Sequence, residues 1–354
     1  MNLGLLLSPS DSLEKQLRTG QLERFVKYYL RPYSRKFDQV YLFTYKDFGR
    51  KFPLPSKIIL VPKLNFIPGY LYQLLLPFLH FKIIKKISVF RVFQSPGGLP
   101  ALISKIFFHK PYVVTYGYDY VRFAQIEQQP FLAKIFSLVV PLVLRQADKI
   151  IITFKNSLRH YSTVTVHNGV DPRVFKPGKI PREKYLVLSV GRLVNQKNFE
   201  WLIKTISLSR FKDKISLVII GLGPLHDNLI SLSRKLGVNL TIKPNVAHTQ
   251  LVEWYQKAAV FVLCSRIEGQ VKVLLEALSS GTACLTTAFI GNMIEDKVTG
   301  MIAVNSRQFA SLLDRLLSDQ SLREKLGRES RKMIIKNFDL KKLVQREIKL
   351  LLSC

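Results

Sequence analysis

The run Tyr185-Leu186-Val187-Leu188-Ser189-Val190-Gly191-Arg192-Leu193-Val194-Asn195-Gln196-Lys197-Asn198-Phe199 decides the fold. Its first six residues are almost continuously aliphatic, as parallel strands are when both faces are covered. Gly191 then opens a short turn, and amphipathic spacing from Phe199 onward predicts a helix. A strand-to-helix turn offering Gly191, Arg192 and Lys197 suits a diphosphate, because Gly permits close backbone approach and the two cations neutralise charge. An ordinary surface loop of a basic protein has the same composition, so the run fixes the fold class before it fixes any chemistry.

Working outward, the same unit recurs on both sides. Short apolar runs at Val40–Thr44, Ile58–Val61, Val89–Phe93, Tyr112–Thr115 and Lys149–Thr153 predict strands in the first half, and the amino terminus, Met1 to Pro9 with its short apolar run, reads as a first strand. In the second half Tyr185–Val190, Ser216–Ile220, Leu240–Ile242, Val260–Cys264 and Ala283–Thr286 predict strands, with helices near 199–209, 225–236, 250–258 and 271–279. Such alternation is the α/β signature, and 354 residues exceed what one core usually organises. Two doubly wound domains follow, with the cleft between them as the default ligand site. The densest Gly/Pro cluster, from Asn168-Gly169 to Ile180-Pro181, marks the boundary. The expected division is an amino-terminal domain over 1–167, a linker over 168–181, a second domain over 182–336, and a terminal helix over 337–354 packing back on the first domain.

Fifty-four Lys and Arg stand against 24 Asp and Glu, a net charge of +30. Residues 1–160 hold 24 basic and 8 acidic side chains, leaving +14 for the rest, so the excess is no detachable tail. This charge attracts anions, whether nucleic acid, anionic lipid or a phosphorylated substrate. The cations are dispersed and no recognisable DNA or RNA module is present, so nucleic acid is not the expected partner. Cys264, Cys284 and Cys354 are too few and scattered for a disulfide framework or a zinc site, which fits a reducing compartment. The amino terminus lacks a basic n-region, and cytoplasmic exposure is expected. Leu64–Phe81 is eighteen residues without a charge, but Pro68, Gly69, Gln73, Pro77 and His80 argue for a buried or interfacial helix over a membrane span.

The second motif is Glu268-Gly269-Gln270-Val271-Lys272-Val273-Leu274-Leu275-Glu276. It puts one carboxylate in the loop at a helix mouth and another about a turn inside the helix. The amides of Gly269, Gln270 and Val271 lie at the positive helix terminus, where a phosphate is stabilised. Carboxylates accept hydrogen bonds from sugar hydroxyls, so the pattern suits a nucleotide sugar. Paired surface glutamates are common on any helix, yet this chain has only twelve Glu.

Several motifs in order resemble one family, the GT-B glycosyltransferases, and within it glycosyltransferase family 4, also called glycosyl transferases group 1. His167-Asn168-Gly169-Val170-Asp171 through Phe175-Lys176-Pro177 resembles its interdomain motif. Val190-Gly191-Arg192-Leu193 with Lys197-Asn198, Gly221-Leu222-Gly223-Pro224, and Ser265-Arg266-Ile267-Glu268-Gly269 with Leu275-Glu276-Ala277 resemble those that follow, as do Gly281, Ile290-Gly291-Asn292 and Val298-Thr299-Gly300. The resemblance covers roughly residues 110–338. It implies two doubly wound Rossmann-like domains facing across a cleft, and a retaining enzyme. Glu268, Arg192 and Lys197 take the catalytic roles by this resemblance. Gly191, Arg192, Lys197, Glu268, Gly269, Gln270, Val271 and Glu276 bind the donor, with Glu276 on the ribose. No cofactor is implied beyond the nucleotide diphosphate sugar as co-substrate, and no metal; no Asp-x-Asp pair is present to hold one.

The chain departs from the family pattern at four places. Val271-Lys272 stands where many members have a proline, bringing a cation near the donor pocket. Tyr116-Gly117 replaces a frequent His-Gly, so the acceptor-side candidates here are Tyr116, Gly117 and Asp119, although Asp119 also reads as a helix N-cap. No Gly-Gly loop follows the first strand, and Phe289-Ile290-Gly291-Asn292 replaces a Gly-Gly-x-x-Glu neighbourhood. His226 and His248 read as solvated or capping, and Trp201 and Trp254 as packing.

The function expected is transfer of a hexose-type sugar to a hydroxyl of a glycan, lipid or lipid-linked acceptor, as in polysaccharide or glycolipid biosynthesis. The alternatives are a same-fold nucleotide-sugar epimerase or hydrolase and, from another class, a non-catalytic basic nucleic-acid binder. Residues 48–118 hold ten Lys or Arg and no Asp or Glu, with Phe66, Tyr70, Tyr72, Phe78, Phe81, Phe107 and Phe108 between them. Basic plus aromatic surface is what a peripheral protein offers an anionic membrane, so a cytoplasmic, peripherally bound enzyme is expected.

Overall fold

The computed structural model describes residues 1–9, 11–63, 67–154, 158, 160–289 and 291–354. Two compact units divide the chain: Met1–His167 with Lys341–Cys354, and Asn168–Leu340. Leu64, Phe66 and Ile290, named above, lie outside the described residues.

Among the described residues the first unit holds seven parallel strands: β1 (Leu3–Leu6), β2 (Val40–Thr44), β3 (Ile58–Pro62), β4 (Val89–Val92), β5 (Tyr112–Tyr116), β6 (Lys149–Ile152) and β7 (Thr163–Thr165), in the order β3-β2-β1-β4-β5-β6-β7. The second holds six, also parallel: β8 (Glu183–Val190), β9 (Ser216–Ile220), β10 (Leu240–Lys243), β11 (Ala258–Leu263), β12 (Ala283–Thr287) and β13 (Met301–Ala303), in the order β10-β9-β8-β11-β12-β13. The ten strands expected from Val40 to Thr286 all occur, with no end moved by more than two residues. The central ones are buried along their whole length, as β2, β4 and β11 show, because helices cover both faces.

Strand order places the site. From β8 the chain crosses to β9 and β10 on one side, then returns to β11 on the other, so the loops leaving β8 and β11 diverge from adjacent strand ends. A crevice at such a topological switch point, outside the carboxyl ends of the strands, is where open α/β sheets bind ligands. In the first unit the same reversal lies between β1 and β4.

Residues 168–181 are not a separate linker. They belong to the second unit, where Phe175 is 1% exposed and Val170 is buried in the same core as Leu186 and Leu275. The reason is pairing: Val170 N donates to Phe338 O at 3.0 Å and Leu340 N to Val170 O at 3.0 Å, an isolated bridge that joins the entry and exit segments of this unit. Gly169 is needed there, since a Cβ would fall 2.6 Å from Leu340 Cα.

The chain ends in the helix Leu340–Leu352, whose Val344, Ile348 and Leu351 are buried and whose residues from Lys341 onward belong to the first unit. Glu347 on this helix receives Arg91 Nε at 2.7 Å and Arg91 Nη2 at 3.2 Å, and also accepts from the Tyr33 hydroxyl. Burial draws the Arg91 pKa down, but the Glu347 charge and hydrogen bond outweigh it and hold the guanidinium above its ordinary value. Burial, and then Glu347, push the Tyr33 phenol well up, so it stays a donor.

Candidate functional site

Lys197 and Glu268 meet at the second unit's switch point. Lys197 ends the short helical turn Asn195–Lys197 after β8, Glu268 sits in the loop after β11, and Lys197 Nζ donates to Glu268 Oε1 with both side chains buried. Gln196 ties the two loops together: its Nε2 donates to Ile267 O at 2.9 Å, and its carbonyl accepts from Arg266 N at 2.9 Å. Arg192 is exposed, and its Nη2 donates to Gln196 Oε1 at 3.3 Å. Asn198, in the left-handed region at φ 57°, turns the chain into the helix Phe199–Ile206.

The glycines are packing devices. A Cβ on Gly191 would stand 3.0 Å from Lys197 Cε, so the lysine stem lies along the turn. Gly221, after β9, would put a Cβ 1.9 Å from Gly191 O, and Gly223 one 2.4 Å from Leu193 O. Gly191 N donates to Ile220 O at 3.0 Å and Leu193 N to Leu222 O at 2.9 Å, which continues the pairing past the strand ends. Gly221→Ala is therefore expected to destabilise the second unit by about 1–3 kcal/mol through backbone overpacking. A thermal melt should show a Tm several degrees lower.

Glu276 lies in the second turn of the helix Lys272–Ser279 and has its own partners. Its Oε2 accepts from the Tyr255 hydroxyl at 3.0 Å, and its Oε1 lies 3.1 Å from His248 Nε2. Burial, and then Glu276, hold the Tyr255 phenol well above its ordinary pKa, so it remains a proton donor. His248 is not solvated: it heads the helix His248–Lys257, largely enclosed against the Phe175 ring at 4.8 Å. His248 and Tyr255 are seven residues apart and share one helix face, the spacing by which sequence reading could have found them. Arg182 anchors this arrangement, donating to Tyr255 O at 2.7 Å, Ala258 O at 2.8 Å and Ser280 O at 3.1 Å, carbonyls near the carboxyl ends of both helices. Burial pulls its pKa down to about 10, which still leaves it charged at neutral pH.

The two carboxylates of the motif thus have separate partners. Between them, Gly269, Gln270 and Val271 are buried, and Val271 precedes the first turn of the helix Lys272–Ser279 with no side-chain cap. Asn168 clamps the loop: its backbone N–H donates to Gln270 Oε1 and its Nδ2 to Gln270 O at 2.8 Å. Lys272 is the first helical residue and is exposed.

In the first unit Tyr116 ends β5, Gly117 O accepts from Thr153 Oγ1 at 3.2 Å, and Asp119 caps the helix Tyr120–Ile126 by accepting from Arg122 N at 3.0 Å. Burial, then Asp119, raises the Tyr116 phenol to about 12. Sequence reading missed the loops at this unit's own switch point, where Ser8 Oγ donates to Gln94 Oε1 at 2.8 Å and a Cβ on Gly97 would fall 2.8 Å from Leu7 O. The Gly-Gly pair absent after β1 is present after β4, as Gly97-Gly98. Trp201 packs edge-on to Phe309 at 5.3 Å, Cys264 and Cys284 are buried with raised thiol pKa values, and the exposed His226 ring has its Nδ1 2.8 Å from Oδ1 of its neighbour Asp227.

The family model "Glycosyl transferases group 1" matches residues 170–333. A Campylobacter jejuni protein named GalNAc-alpha-(1->4)-GalNAc-alpha-(1->3)-diNAcBac-PP-undecaprenol alpha-1,4-N-acetyl-D-galactosaminyltransferase is 27% identical over 173 residues, 47% of each chain. The chain spans about half the length of the curated relatives it matches. Among solved structures, sucrose-phosphate synthase from Thermosynechococcus elongatus superposes with a TM-score of 0.80 at 18% identity, over 99% of this chain and 98% of that one. Anabaena Alr3699/HepE in complex with UDP and glucose superposes with a TM-score of 0.75 at 16% identity, over 100% and 99%. The chain therefore has the GT-B fold, and its residues 170–333 match the model of the glycosyl transferases group 1 family.

Proposed function

We propose that this protein is a glycosyltransferase that moves a hexose-type sugar from a nucleoside diphosphate sugar to a hydroxyl of a glycan, lipid or lipid-linked acceptor, retaining anomeric configuration. The observation that carries this reading is the buried Lys197–Glu268 pair at the switch point between β8 and β11, beside a helix amino terminus. Without ligand, Glu268 neutralises Lys197. An arriving diphosphate takes over Lys197, together with Arg192 and the amides of Gly269, Gln270 and Val271, and so frees Glu268 to accept from hydroxyls of the transferred sugar. Negative charge grows on the leaving phosphate as the glycosidic C–O bond breaks, where these cations and amides stabilise it most. The acceptor oxygen bonds to the anomeric carbon on the same face, and its proton passes to the departing phosphate. The site neutralises the phosphates with its own cations and dipoles, so the reading calls for no metal.

Glu276 uses one lone pair of each oxygen on Tyr255 and His248, and retains acceptor capacity for the two adjacent hydroxyls of a ribose. Glu276→Ala is expected to weaken donor binding by about 1.5–3 kcal/mol, the worth of a hydrogen bond to a charged group. Unchanged affinity in the folded variant would remove it from the ribose role. The Anabaena neighbour, solved with UDP and glucose, supports a nucleoside diphosphate, and the Campylobacter relative, named for an undecaprenol diphosphate acceptor, supports a lipid-linked one. Tyr116 and Gly117 remain the acceptor-side candidates, while the Asp119 carboxylate is engaged as a cap. The test is release of nucleoside diphosphate that requires added acceptor. Release without acceptor would mean a hydrolase, and conversion of the sugar without release an epimerase.

A further inference from the structure

We propose that the first unit docks on anionic lipid bilayers through the outer face of the helix Gly69–Leu79 and its neighbour Leu99–Phe108. The inference is independent of the donor chemistry, since no residue of Asn168–Leu340 enters it.

The helix Gly69–Leu79 is inside out for a protein surrounded only by water. Tyr72, Gln73, Leu76 and Pro77 are buried, while Tyr70, Leu71, Leu74, Leu75, Phe78 and Leu79 face outward. The period is helical, in pairs, so one face is continuous. Gln73, the helix's only amide side chain, is on the inner face at 1% exposed, whereas Leu74 is 46% and Tyr70 57% exposed on the outer one. A surface helix in water presents the opposite polarity.

The face extends beyond one helix. The Phe78 ring stands 5.3 Å from the Phe107 ring, and Ile106 and Phe107 are themselves 58% and 61% exposed. Soluble monomers rarely expose contiguous apolar surface beyond a few hundred Å², and larger patches mark interaction sites.

Charge selects the partner. The next helix, Phe81–Lys86, carries Lys82, Lys85 and Lys86, all exposed, with Lys85 Nζ 5.6 Å from the Phe81 ring. Lys110 adjoins them, its Nζ donating to Lys85 O at 2.9 Å. No Asp or Glu occurs from residue 48 to 118. An apolar band edged by lysines is what sits in the headgroup boundary of an anionic leaflet. Two of the side chains expected on this surface are elsewhere: Arg91 is buried on Glu347, and Tyr72 is core. Among the described residues no helix is long and apolar enough to cross a membrane, so the geometry is that of a helix lying in the interface.

The full chain should co-sediment with phosphatidylcholine vesicles containing phosphatidylglycerol, and the bound fraction should fall as salt rises. Each lysine near an anionic surface changes the partition coefficient about fivefold, so K82Q/K85Q/K86Q should lower it about a hundredfold. Leu74→Ser with Phe78→Ser should abolish binding while the circular dichroism melt and light-scattering mass stay as in the parent, because both side chains point outward. Three outcomes would overturn the proposal: no sedimentation, equal recovery with pure phosphatidylcholine, or a dimer in solution that the Leu74/Phe78 variant dissolves. The last would assign the face to a second copy of the chain.

Discussion

Lys197→Ala should lower turnover about a hundredfold to a thousandfold, the usual loss when one preorganised charge partner of a developing anion is removed. The same substitution carries a stability cost that Arg192→Ala does not. Lys197 and Glu268 are buried together, and stripping one member from a buried pair leaves an uncompensated charge, a loss of about 3–5 kcal/mol. Arg192 is exposed, so its truncation should reduce turnover with little change in Tm. A double variant separates the two effects. Lys197→Met with Glu268→Met removes both charges at similar volume, which is often neutral for stability, so its melt should recover while turnover stays low. If turnover recovers with the melt, the pair is structural and the diphosphate assignment falls.

The second large effect is expected far from the donor site. Glu347→Ala strands the Arg91 guanidinium and the Tyr33 hydroxyl, both buried and both donating to that carboxylate. By the same reasoning the loss is about 3–5 kcal/mol, seen as early melting by near-UV circular dichroism. Arg91→Met with Glu347→Met should regain most of it. A full loss that persists in the double variant would mean that packing of the terminal helix, and not the ion pair, secures it.

Ten strands and the second unit's helices were legible in the sequence because buried parallel strands are apolar throughout and helices keep their period. The missing strands, β7 and β13, have three residues each, and Thr163-Val164-Thr165 is only half-buried at the sheet edge. Motif chemistry was legible as residue types, but not as partnerships. Lys197 and Glu268 are 71 positions apart and meet only because β8 and β11 are neighbours. Arg91 looked like one surface cation among ten because its partner lies 256 positions away. Tyr70 and Tyr72 looked alike until the helix phase put one outside and the other in the core. The linker was misjudged for a similar reason, since Gly and Pro signal a turn in the backbone equally well inside a folded unit and between two.

The terminal helix also sets an order of events during synthesis. The first unit is discontinuous: Met1–His167 is made early, yet Lys341–Cys354 completes it. At roughly 5–20 residues per second, Arg91 and Tyr33 wait about 13–63 s for Glu347, 256 and 314 positions later, to be made. The second unit is contiguous in sequence and needs nothing beyond Leu340, so it is the first to be finished. The chain is therefore completed from the middle outward, and for that interval the first unit lacks the helix whose Glu347 pairs with Arg91.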